Sequence, residues 1–170
     1  MGFFSYINVQ FNLTPPPIPG TKIVLKLDPF PLLSTGLNIP VELSTAEVFR
    51  KSPNPIPLSS IVVMGHFDTG ASNTSIDISL AKHLNLIPTG ASTKQTAGGP
   101  QTTPDFYIDL SFPGSNLCPF HNLKIGSCTL PFKIEDGVNP NNFGILIGRD
   151  IMSKWNIVWN GPSSTVFIND

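Results

Sequence analysis

Apolar and polar residues alternate most cleanly over residues 105–112, where Phe106, Ile108, Leu110 and Phe112 fall on one face and Asp105, Tyr107, Asp109 and Ser111 on the other. A period of two predicts a strand with one face in a core and one toward solvent. Residues 61–64, Ile-Val-Val-Met, form a continuous apolar run, as expected of a strand covered on both faces. That run leads directly into Asp68. Past a short extended piece at 74–76, Ile76, Leu80, Ala81 and Leu84 recur at helical spacing. Asp77 is positioned to cap this short helix and Pro88 to stop it. Gly126-Ser127 and Asn160-Gly161 each sit between apolar runs and predict hairpin turns, the second joining residues 157–159 to 165–168.

The first 60 residues differ in texture. Pro15-Pro16-Pro17, Pro19, Pro29, Pro31, Pro53, Pro55 and Pro57 interrupt short apolar pieces such as Ile23-Val24-Leu25. Residues 1–57 therefore read as a proline-rich extension, made of edge strands or a propeptide-like arm, ahead of a regular domain at 58–170. With 170 residues, 18 prolines and only 12% charged residues, the chain suits one mostly β domain better than a helical bundle. One or two short helices are expected.

A net charge of -1, without blocks of like charge, leaves no electrostatic footprint for nucleic acid or an anionic membrane. No stretch approaches the roughly 20 apolar residues of a membrane span. Residues 1–13 lack the basic start and apolar run of a signal peptide, which favours a cytoplasmic location. Cys118 and Cys128 are too few for a disulfide framework, and no CxxC or HExxH spacing points to a metal. Neither cofactor nor metal is expected.

The chemistry concentrates in Asp68-Thr69-Gly70-Ala71-Ser72, preceded by the apolar run. Two further segments accompany it: Thr96-Ala97-Gly98-Gly99, and Ile145-Leu146-Ile147-Gly148-Arg149-Asp150. With these three pieces the chain resembles the retropepsins, the retroviral-type aspartic peptidases, over residues 58–170. The resemblance implies a single-lobe acid-protease barrel acting as a homodimer, with a protein or peptide as substrate and Asp68 as the catalytic carboxylate. Thr69, Gly70 and Ala71 would support the catalytic loop, and Thr96, Ala97, Gly98 and Gly99 would form a flap closing on substrate. Ile147, Gly148, Arg149 and Asp150 would brace the loop from behind, with Asp150 capping a short helix at 151–155. The family often carries a second aspartate where this chain has Ser72, so Arg149 is expected to find its partner elsewhere.

Peptide hydrolysis by water needs a base and an acid, and two carboxylates about 3 Å apart share one proton and supply both. One chain offers one such aspartate, so a twofold-related copy must offer the other. Ala71 replaces the Ser or Thr of many aspartic peptidases, which moves the expected optimum to weakly acidic or neutral pH. His66, two residues before Asp68, reads as structural, and Trp155 and Trp159 as core or interface anchors. Asp105 and Asp109, on the polar face of their strand, are expected to be exposed. A catalytically silent peptide-binding or assembly module on the same fold is the alternative.

Overall fold

The structure, a computed structural model, describes residues 23–26, 36–55, 57–96, 98–139, 141–160 and 165–170. Among these residues ten strands dominate: β1 (Ile23–Lys26), β2 (Asn38–Thr45), β3 (Ser60–Phe67), β4 (Ser75–Asp77), β5 (Gly90–Thr96), β6 (Gly99–Ser111), β7 (Phe120–Cys128), β8 (Phe143–Ile147), β9 (Asn156–Asn160) and β10 (Thr165–Asn169). The helices are short: α1 (Glu47–Arg50), α2 (Ile78–His83) and α3 (Arg149–Met152), with one 3-10 turn at Ile134–Asp136. None of them is long and apolar enough to cross a membrane.

Strands pair in the order β2-β3-β8-β4-β7-β6, and β2 also pairs with β6, which closes six strands into a barrel. Pairs β3/β8 and β4/β7 are parallel and the rest antiparallel. β5 extends from β6 as the other arm of a hairpin. The ring closes where residues 42–45 of β2 meet residues 108–111 of β6, and closure removes the sheet edges there. A separate three-stranded sheet, β1-β10-β9, pairs the first described strand with the last two.

The alternation read over 105–112 orients β6 as expected, since Phe106, Ile108, Leu110 and Phe112 are all buried. They meet Ile39, Val41 and Leu43 of β2, Val63 of β3, Ile76 of β4, Ile125 of β7, and Ile145 and Ile147 of β8 in one apolar core. Trp155 joins it through Phe67, Phe112 and Phe120, with ring centroids 5.0 to 6.1 Å away. Trp159 remains half exposed. Asp77 caps α2, accepting from the amides of Ser79 at 2.8 Å and Leu80 at 3.4 Å. The pairing of Asn160 with Thr165 gives the β9–β10 hairpin, although residues 161–164 lie outside the described set.

Four expectations need correction. The run at 61–64 is strand, but Val62 stays 39% exposed, so two-sided burial begins only at Val63. Gly126-Ser127 is not a turn: it lies within β7, where Gly126 pairs with both Ser75 and Asp105. Its glycine serves a neighbour, because a Cβ there would collide with the Lys94 ammonium group. The helix expected at 151–155 is α3, which begins at Arg149, behind Gly148 as its N-cap, so Asp150 sits inside the first turn. The division at residue 57 does not separate an arm from a barrel either. β2 lies between β3 and β6, and β1 pairs with β10. Prolines 15 to 31 lie outside the described residues.

Candidate active site

β3 delivers the chain from the core to Asp68, and β8 runs parallel beside it, pairing Phe67 with Ile147. The ladder then continues into the loops. Asp68 N donates to Ile147 O at 3.0 Å, Arg149 N to Ala71 O at 3.0 Å, and Asp150 N to Ser72 O at 3.2 Å. The loop at 68–72 is therefore strapped by backbone bonds to residues 147–150. Within the loop, Gly70 N donates to Asp68 Oδ1 at 2.8 Å and Ala71 N to Asp68 O at 3.1 Å. A Cβ on Gly70 would stand 3.1 Å from Asp68 Oδ1, tighter than ordinary contact, so glycine leaves room for the carboxylate. Asp68 is half-buried, while Thr69 and Gly70 are exposed.

A second layer holds this loop, and Thr74 organises it. Its buried hydroxyl accepts from Gly148 N at 3.0 Å and donates to Asp150 Oδ1 at 2.8 Å. Its amide donates to both Asp150 oxygens, at 2.9 and 3.0 Å. Asp150 also accepts from Ile151 N at 2.9 Å. A carboxylate taking several N–H and O–H donors is a strong anchor. Gly148 has to be glycine here, because a Cβ would lie 2.5 Å from Asn73 C and 2.8 Å from Thr74 N, both backbone atoms. Arg149, expected to bind elsewhere, donates from Nη2 to Ser72 Oγ at 2.8 Å. Ser72 is thus its partner.

Thr96 and Gly99 close the β5–β6 hairpin as a cross-strand pair. Thr96 Oγ1 donates to Gly99 O at 2.7 Å and accepts from Gly98 N at 3.2 Å, and Gly99 takes φ +102°. Positive φ at the turn is where glycine is needed. Ala97 lies outside the described residues. These bonds are internal to the hairpin, whereas Asp68, Gly70, Ala71, Ser72, Ile147, Gly148, Arg149 and Asp150 are joined in one network.

His66 has a structural setting. Its Nδ1 lies 2.7 Å from Asn38 Oδ1, which accepts, and its ring stacks on Phe143 at 4.7 Å. Burial pushes its pKa down, with the nearby Asp68 charge opposing. Asp105 and Asp109 occupy the outer face, as alternation indicates, but both are buried, contrary to expectation. Asp109 is covered by α1 and the start of β7: Arg50 Nη2 lies at 2.6 Å, and the amides of Asn122 and Glu47 donate at 2.8 and 3.4 Å. Asp105 is covered by Ser92 Oγ at 2.7 Å and Lys124 Nζ at 3.3 Å. The partners of both carboxylates are structural. Among the described residues, no three His, Cys, Asp or Glu side chains converge as for a metal ion, and Cys118 and Cys128 form no disulfide.

Thr74 was the residue that sequence reasoning missed. It lies two residues past the motif, but its role depends on a partner 76 positions away, and spacing within one chain gives no sign of that pairing.

No protein-family model matches the chain, and no curated protein matches it. Among solved structures it is similar to a retropepsin-like aspartic protease from Rickettsia conorii, at 17% identity and a TM-score of 0.45, over 86% of this chain and 97% of that chain.

Proposed function

We propose that the protein is an aspartic endopeptidase in which two copies of Asp68, one from each chain of a homodimer, activate a water for attack on a peptide bond. The observation that carries the reading is the strapped loop. Asp68 is half exposed at the end of a core strand, its carboxylate fixed by Gly70 N at 2.8 Å and its backbone tied to Ile147. Positioning of this kind is what acid–base catalysis requires.

Each chain offers one such loop, so the dyad needs a twofold axis beside Asp68. On that axis the two carboxylates share a proton. The ionised one takes a proton from water as the oxygen attacks the carbonyl carbon, and the protonated one supports the oxyanion and then protonates the leaving amine. Thr69, which is exposed, bonds across that axis in this reading. The hairpin of Thr96, Gly98 and Gly99, with Ala97 between, closes over an extended peptide bound by strand-like hydrogen bonds.

The test is a mixed peptide library incubated with the unaltered protein and with Asp68→Asn between pH 4 and 8. Cleavage by the former, reduced at least roughly a thousandfold in the latter, is the expected result, since the near-isosteric amide removes the acid–base group. An unaltered dimer that cuts nothing at any of these pH values would leave the silent binding module in its place.

A further inference from the structure

In the strand order β4-β7-β6-β5, β5 lies three strands from β4, about 14 Å away in a flat sheet with the usual ~4.8 Å spacing. Nevertheless Lys94 of β5 donates from Nζ to Ser75 Oγ of β4 at 2.6 Å. One lysine and one serine cannot bridge a flat sheet, so the hairpin curls over the outer wall of the barrel. The wall is shaped for the lysine. A Cβ on Gly126 would fall on Nζ and within 2.5 Å of Cε, so this glycine opens the slot in which the half-buried lysine lies.

Ser92, on the same face of β5, donates to Asp105 Oδ1 at 2.7 Å. The underside of the hairpin is therefore fastened by polar contacts, which exchange readily with water, instead of by apolar packing. The charged and titratable groups around Lys94 are Asp105 on β6, Lys124 and Cys128 on β7, and Asp150 on α3. Burial pushes the lysine below its usual range, while Cys128, Asp105 and Asp150 oppose that effect. Ser75 directly follows Thr74, the residue that grips Asp150 and Gly148 behind the acidic loop.

We propose that Lys94 is a positioning residue: its amine, seated in the Gly126 slot against Ser75, sets how far the hairpin is drawn down and how readily it opens. That opening admits a peptide if the peptidase reading holds; the fastening itself does not depend on it.

The experiment is amide hydrogen exchange on the full chain carrying Lys94→Ala, Gly126→Ala or both. Each single change should raise exchange of the hairpin amides at 93–102 by roughly tenfold and leave β3 and β8 unchanged. The double variant should exchange no faster than the faster single, because both changes remove the same seat. If Gly126→Ala does not fold, Ser75→Ala takes its place in the cycle. Unchanged hairpin exchange in Lys94→Ala, or effects that multiply in the double, would overturn the assignment. Where peptide turnover is measurable, Lys94→Ala should move KM more than kcat; equal loss in both, or loss in kcat alone, would also count against it. A protein without turnover leaves the exchange result intact, so the two readings fail separately.

Discussion

At the scale of single residues, the acidic loop depends on atoms that are absent. Gly148 lets the Asn73-Thr74 backbone pass where a Cβ would lie 2.5 Å from a carbonyl carbon. Backbone has little room to yield, so Gly148→Ala should destabilise the protein by about 1–3 kcal/mol. Urea unfolding followed by tryptophan fluorescence measures this, and an unchanged midpoint would mean that the loop shifts at no cost. The sequence made Gly148 and Asp68 legible because both belong to short contiguous motifs. It misassigned only the capping role of Asp150. An aspartate near a helix start is well suited to capping, yet here its carboxylate accepts from Thr74, which lies in another segment. Local rules cannot weigh a distant donor against a near one.

At the scale of elements, alternation along β6 sorted its side chains onto the correct faces but could not say what covers the outer one. α1 and the start of β7 lie over Asp109, and Ser92 and Lys124 over Asp105, so carboxylates expected in water are buried and paired. A pH dependence follows from this. Burial alone would raise Asp109, but the Asn122 amide, Arg50, the Glu47 amide and His121 outweigh it and hold the group below the usual carboxylate range. Asp105 is held down by the Ser92 hydrogen bond, against burial, with help from Lys124 and Lys94. A carboxyl group whose folded pKa is depressed contributes stability that is complete above its unfolded value, about 3.9, and is lost as pH falls below it. Thermal unfolding should therefore show stability falling as pH drops below about 4. Asp109→Asn should be less stable at pH 7, because Arg50 loses its counter-charge, but should have a shallower acid slope. An acid slope as steep as that of the unaltered chain would remove Asp109 from the explanation.

At the scale of the molecule, the barrel depends on a strand from the part of the chain that proline content had set apart. Ile39, Val41 and Leu43 alternate with Pro40, Glu42 and Ser44, a strand pattern overshadowed by the surrounding prolines. Pro40 is tolerated because β2 has a neighbour on only one side there: pairing with β3 covers residues 38–44, whereas pairing with β6 covers only 42–45. The missing N–H therefore needs no partner. Removing β2 would open the ring, leave β3 and β6 with unpaired edges, and withdraw three fully buried side chains worth roughly 1.5–3 kcal/mol each. Against a whole-domain stability of about 5–15 kcal/mol, that loss is decisive. A chain beginning at residue 58 should consequently show no cooperative thermal transition, and one beginning at residue 36, which lacks the β1–β10 pairing, should retain it. Calorimetry on the two truncated chains distinguishes the cases. A cooperative transition in the shorter one would return β2 to the role of a dispensable arm, and with it the boundary at residue 57.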